Sequence, residues 1–165
     1  MTKTQHEAVL TGGCQCGAVR YALYARPEGT HLCHCRMCQK AVGGPFAALA
    51  PVRHEDFAWT RGQPGVFRSS SIALRDFCQA CGTPLTFRYA EDDRIDVTIG
   101  SLDQPAEAPP GILYGVESRV PWLDDIGSLS AETTASSMPA ERQAAIVNYQ
   151  HPDHETPPDW VPPTP

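Results

Sequence analysis

No apolar run in this chain approaches the roughly 20 residues that a membrane-spanning helix requires. The most apolar stretch, Ala41–Val52, is interrupted by Gly43, Gly44, Pro45 and Pro51. Basic charge is also in deficit. The net charge of −6 argues against a polyanionic partner such as nucleic acid, while leaving room for a local basic patch. Residues Met1–Leu10 carry Lys3, His6 and Glu7 and lack the apolar stretch of a secretory signal, so a cytoplasmic protein is expected. There is no internal repeat with a period of about 20–50 residues. Sixteen prolines and 13 glycines among 165 residues leave little room for long helices. The length suits one domain with its own core.

Cysteine is what the chain does have, and it is clustered. Seven cysteines fall into Cys14-x-Cys16, Cys33-x-Cys35-x-x-Cys38 and Cys78-x-x-Cys81, the last followed by Gly82. Spacers of one or two residues let a single turn of backbone bring several thiolates to one divalent metal. In a reducing cytosol, clustered cysteines more often hold metal than form disulfides, and an odd count pairs poorly. Buried or redox-active thiols without metal are the plain alternative, and an iron–sulfur cluster is another. A division into four and three with mixed spacings favours zinc.

Spacing alone does not fix which clusters combine. The preferred grouping is Cys14, Cys16, Cys78 and Cys81, because it leaves the compact three-cysteine loop intact. Four thiolates close a structural zinc site, and Gly82 would supply the positive φ that turns backbone N–H groups toward the sulfurs. Cys33, Cys35 and Cys38 then hold a second zinc with one position open. A soft exogenous thiol suits that position, since metal binding lowers a thiol's pKa. Alternatively His31 or His34 closes the site as a second structural centre. His34, between two ligands, is the nearest candidate for a general acid.

Several cations could hold the carboxylates of a small acidic ligand: Arg36, Lys40, Arg53, Arg68 and Arg75. Each taken singly reads more simply as a solvated surface charge. The segment His151-Pro152-Asp153-His154-Glu155 has ligand-type residues in a proline-rich setting, which favours a surface or packing role. Trp59, Trp122 and Trp160 read as core or edge-packing residues.

Alternation of branched or aromatic residues with others predicts a strand over Ala18–Tyr24, and Thr83–Tyr89 alternates apolar with polar residues after the third cluster. Phe46–Val52 reads as a buried strand after Gly43-Gly44-Pro45, a turn at Arg61–Gly65 precedes Val66–Ser69, and Ala73–Phe77 leads into the third cluster. Arg94–Ile99 is the clearest strand, with its apolar residues on one face. A further strand is expected within Gly111–Val120, and a short helix over Pro139–Asn148. His54–Trp59 reads as a transition. The expected architecture is mainly antiparallel β with metal clusters at strand ends. Residues 1–127 form the zinc-binding domain and residues 128–165 an extension of loop, short helix and proline-rich tail.

Three motifs carry a family resemblance. Gly13-Cys14-Gln15-Cys16-Gly17-Ala18-Val19-Arg20-Tyr21, Cys33-His34-Cys35-Arg36-Met37-Cys38-Gln39-Lys40 and Phe77-Cys78-Gln79-Ala80-Cys81-Gly82-Thr83-Pro84-Leu85 together resemble the glutathione-dependent formaldehyde-activating enzyme family, which includes centromere protein V-like domains. Val97–Asp103 and Glu117–Trp122 look like its distal motifs. The resemblance runs from about Gly12 to Leu123. It implies a zinc-stabilised β-tent, with Cys14, Cys16, Cys78 and Cys81 holding structural zinc. It also implies a catalytic-type site at Cys33, Cys35 and Cys38. The implied reaction joins formaldehyde to glutathione, giving S-(hydroxymethyl)glutathione, or cleaves that carbon–sulfur bond. Many members carry a histidine where this chain has Leu113 and Tyr114. The alternatives are a non-catalytic zinc scaffold or glutathione carrier, and a redox or metal-buffering role for the three-cysteine loop.

Overall fold

Ile95 and Val97 are buried while Arg94 is exposed, so the alternation expected of this segment is realised in β9 (Arg94–Thr98). The computed structural model describes residues 7–161, so Lys3, His6 and the last residues of the proline-rich tail lie outside the described residues. β9 is the central strand of a seven-stranded sheet. Its flanking strands are β3 (His31–Cys33), β4 (Ala47–Arg53), β6 (Gly65–Arg68), β7 (Ala73–Phe77), β8 (Pro84–Tyr89) and β10 (Ile112–Tyr114). The spatial order is β10-β3-β4-β9-β8-β7-β6. A smaller sheet contains β1 (Leu10–Gly13), β2 (Arg20–Leu23) and β5 (Phe57–Arg61), in the order β1-β2-β5.

The main core joins the two sheets. Tyr21 and Leu23 from β2 pack with Ala50 and Val52 from β4, Leu85 from β8, and Ile95 and Val97 from β9. Tyr21 stacks on Phe57 at 5.6 Å between centroids and meets the edge of Trp59 at 6.0 Å. Its hydroxyl pairs with the Ser101 hydroxyl at 2.7 Å, which satisfies the one polar atom this ring buries. Burial of one such large side chain contributes on the order of 1.5–3 kcal/mol.

The fold is mainly β, as expected, with these differences. Pairing is antiparallel throughout except between β10 and β3, which run parallel. The three-cysteine segment is not all loop. It begins at the end of β3 and enters a helix, α1 (Arg36–Val42), with Cys35 at the N-cap. No proline or glycine interrupts residues 36–42, and the helix stops at Gly43. His54–Trp59, expected as a transition, contains a 3-10 turn and the start of β5. Gly12 and Gly13, which precede the first cysteine pair, belong to β1. The expected strand over Gly111–Val120 is shortened to β10, because Gly115 turns the chain into a 3-10 segment at Val116–Ser118. The predicted C-terminal helix is only α2 (Ala140–Ala144), which buries nothing. Trp122 is exposed rather than packed, whereas Trp59 is half-buried against the core.

The segment from His151 to Trp160 lies against the first cysteine knuckle. The His151 backbone N–H donates to the Gln15 carbonyl at 2.7 Å, and its ring meets the Trp160 edge at 4.6 Å. Gly17 (φ +74°) is required beneath them. A Cβ there would lie 2.5 Å from the His151 ring and 2.6 Å from Trp160. Arg61 donates to the Thr156 and Pro157 carbonyls at 2.9 and 2.7 Å. Arg20 binds Glu155 at 2.9 Å and Asp103 at 2.5 Å. His151 therefore has the packing role expected of its segment. Among the described residues no helix is long and apolar enough to cross a membrane.

Candidate metal centres and adjoining cavity

Two tight turns build the first centre. The Cys14 N–H donates to the Val19 carbonyl at 2.9 Å and the Gly17 N–H to the Cys14 carbonyl at 3.0 Å, curling the backbone so that Cys14 and Cys16 project together. The Cys78 N–H donates to the Thr83 carbonyl and the Gly82 N–H to the Cys78 carbonyl, both at 2.9 Å. Gly82 has φ +77°, the left-handed conformation expected of it. The four sulfurs of Cys14, Cys16, Cys78 and Cys81 lie within 4.8 Å of one another. Cys14 and Cys16 sulfurs are 3.6 Å apart, and those of Cys16 and Cys78 3.8 Å. Thiolates about 2.3 Å from a tetrahedral zinc have sulfurs roughly 3.8 Å apart. The quartet therefore fits a closed four-sulfur site.

Its surroundings favour thiolates unevenly. Burial pushes the Cys14 thiol up to about 12, and burial also raises Cys16. Burial opposes the Cys81 thiolate too, but the Thr83 hydroxyl and the backbone N–H groups of Thr83 and Cys16 prevail and bring it down to about 6. An ion in this site would supply the missing positive charge to the buried members.

The second centre is built from a strand end and a helix start. Cys33 closes β3, Cys35 caps α1 and Cys38 lies in its first turn. Their three sulfurs lie within 4.8 Å of one another, with Cys33 and Cys35 at 3.5 Å. The trio therefore fits three vertices of the same tetrahedron. Burial lifts Cys33 to about 12 and raises Cys38 as well. Burial also opposes the Cys35 thiolate, but hydrogen bonds from the Cys38 N–H and the Cys33 side chain outweigh it and lower its pKa. Arg75 on β7 donates to the Cys38 sulfur at 3.3 Å and stacks 4.8 Å over the Phe87 ring.

No histidine joins either sulfur cluster among the described residues. His31 turns to the Gly29 carbonyl, at 3.0 Å, and to Asp96, at 3.9 Å. The His34 ring is buried at 2% exposure, packs edge-on against Phe46 at 5.5 Å, and has neither nitrogen hydrogen-bonded. Gln39 fixes its backbone, donating to the His34 and Ser118 carbonyls at 2.7 and 2.9 Å.

Beside the trio, a cavity of about 790 Å³ opens between α1 and the large sheet. Its cations are Arg36, Lys40 and Arg75, three of the five anticipated for an acidic ligand. The other two lie elsewhere: Arg53 reaches Glu55 and Asp93 at 3.8 Å, and Arg68 donates to the Ser71 carbonyl at 2.6 Å. Arg36 also donates to the Gln39 amide oxygen. Most of the remaining lining is apolar, and Val42, Leu49 and Phe87 belong to the same packed cluster as the three cysteines. Arg75 is the residue that touches both a trio sulfur and the cavity. Sequence reasoning offered Arg75 as one of five candidate carboxylate anchors, each read singly as a solvated surface charge. It did not anticipate its bond to Cys38 or the wall formed by Leu49, Phe67 and Phe87.

The chain is similar to several known proteins. The family model for glutathione-dependent formaldehyde-activating enzymes matches residues 9–115. An uncharacterized lyase of Schizosaccharomyces pombe is 32% identical over 78 residues, covering 47% of this chain and 56% of the relative. The chain thus matches little more than half the length of that protein. A Halomonas elongata protein, provisionally named a glutathione-dependent formaldehyde-activating enzyme, is 25% identical over 126 residues, covering 70% of this chain and 80% of the relative. A crystal structure of a Rhodobacter sphaeroides protein aligns with a TM-score of 0.49 at 22% identity, over 62% of this chain and 98% of that one. All seven cysteines fall inside the matched region, which is the larger part of the sequence, and the chain belongs to the glutathione-dependent formaldehyde-activating enzyme family.

Proposed function

We propose that this protein is a zinc-dependent carbon–sulfur lyase that forms or cleaves a thiol–aldehyde adduct, as S-(hydroxymethyl)glutathione synthase does. The observation that carries this reading is the three-sulfur centre with no fourth protein ligand among the described residues, set beside a cationic cavity. A zinc ion held by Cys33, Cys35 and Cys38 would supply Lewis acidity and favour the thiolate form of a fourth sulfur. The quartet would hold a second zinc whose role is to brace the fold.

The remaining chemistry falls to this chain's own side chains. Lys40 and Arg36 would hold the carboxylates of a thiol such as glutathione, through charge-assisted hydrogen bonds. Val42, Leu49 and Phe87 would exclude water from the reacting atoms. Arg75 lines the cavity and touches the Cys38 sulfur, so its guanidinium would place positive charge beside the oxygen of the adduct. On addition, the S–C bond forms, the carbonyl π pair moves to oxygen, and the proton lost by the thiol ends on that oxygen. Cleavage reverses each change. His34 is buried, and to donate the proton as general acid it would have to gain access to the adduct.

The uncatalysed addition is facile, so acceleration itself must be measured. NMR exchange between glutathione, formaldehyde and their adduct should quicken with the zinc-loaded protein and not with a Cys35→Ser variant. Binding of glutathione without faster exchange would favour the non-catalytic carrier.

A further inference from the structure

We infer that the cavity beside the trio takes the adduct of an aldehyde with an apolar body, aryl or branched alkyl, in preference to that of formaldehyde. The inference rests on the thiol–aldehyde chemistry proposed above and names its substrate class. The hydroxymethyl group that formaldehyde adds to sulfur has almost no apolar surface to bury. The cavity offers a great deal: Met37 and Val42 on α1, Leu49 on β4, Phe67 on β6, Phe77 on β7 and Phe87 on β8. Its volume, about 790 Å³, lies in the range of sites that enclose drug-sized ligands, roughly 300–1,000 Å³.

Two of these side chains are unusually placed. Met37 and Phe67 line the cavity from opposite elements yet remain 57% and 61% exposed. Both would be covered by an apolar ligand that fills the space between them, a gain that no one-carbon aldehyde can provide. Phe67, Phe77 and Phe87 all line the cavity, so an aryl group has aromatic rings to pack against.

The charged lining is one-sided. Arg36, Lys40 and Arg75 face the cavity with a single acid, Asp76. Asp76 is already occupied, accepting from the Thr86 hydroxyl at 2.5 Å and from Arg88 at 3.3 Å. Carboxylates are therefore provided for, while an ammonium group is not. The site suits an anionic thiol whose sulfur substituent is apolar, with any ammonium group left in solvent.

The test uses the full zinc-loaded chain and two stable analogues, S-methylglutathione and S-benzylglutathione. Calorimetry should show the benzyl derivative binding at least about tenfold more tightly, the amount that burying one ring supplies. Phe67→Ala should reduce that advantage about threefold or more, and the side chain is exposed enough for the variant to fold. Exchange rates are measured in parallel with formaldehyde and with phenylacetaldehyde. Equal or weaker binding of the benzyl derivative, with formaldehyde exchange accelerated, overturns this inference and leaves the proposed function standing. No acceleration with either aldehyde overturns the proposed function; a benzyl preference surviving in that case supports the cavity's assignment to an apolar sulfur substituent.

Discussion

Arg75 donates to the Cys38 sulfur across 3.3 Å, tying β7 to α1 where the sulfur trio meets the cavity. A guanidinium held there stabilises negative charge on the sulfur and lines the cavity beside it. Hydrogen bonds to charged groups are worth about 1.5–3 kcal/mol. Arg75→Met should therefore slow adduct exchange by roughly 10–100-fold while the protein still binds two metal ions. Metal analysis beside exchange kinetics separates this from collapse of the centre, which would lose an ion as well.

Lys40 lines the same cavity, is exposed and makes no ion pair with any of the described residues. Replacing it with alanine should raise the KM for a dicarboxylate thiol on the order of fivefold, with kcat nearly unchanged. The same variant should barely affect a thiol without carboxylates, such as 2-mercaptoethanol. An equal loss with both thiols would show that Lys40 does not bind the carboxylate.

Arg20 and Asp103, 2% and 8% exposed, form a buried pair at 2.5 Å that Glu155 extends into the C-terminal segment. Removing Asp103's charge leaves the guanidinium short of a partner, a loss of about 3–5 kcal/mol for a buried pair. Asp103→Asn should therefore lower the melting midpoint by roughly 6–20 °C.

The pH dependence follows from the same carboxyl group. Burial opposes ionisation of Asp103, but hydrogen bonds from Arg20 and Thr11 prevail and hold its pKa below the usual range. A depressed acid contributes stability above its unfolded pKa and loses it as pH falls through the folded value. The gap in melting midpoint between wild type and Asp103→Asn should be full at pH 7 and narrow only below about pH 4. Thermal melts of both proteins across that interval check the sign. A gap that widens on acidification would be the wrong one.

Much of the centre's layout was readable because it is local. The Cys14 and Cys78 knuckles each close within a few residues, so spacing alone conveys their geometry. β9 was readable because Ile95 and Val97 face one core while its polar residues face away. α1 was not: its buried positions are Cys38 and Gln39, so no stripe of leucines advertises a helix. β5 was missed because Phe57, Ala58 and Trp59 are all half-buried, which removes the period of two. The parallel pairing of β10 with β3 joins segments far apart in the chain and leaves no local mark. The Arg75–Cys38 bond is of the same kind, spanning 37 residues.

The most direct test of the divided sulfurs is metal content in three proteins: wild type, Cys35→Ser and Cys78→Ser. Two ions in wild type, one in a still-folded Cys35→Ser, and an unfolded or strongly destabilised Cys78→Ser are the predicted results. Structural zinc contributes on the order of 10 kcal/mol to folding, which is why the last variant should fail. If Cys35→Ser loses both ions or neither, the quartet and the trio are not the separate centres described above.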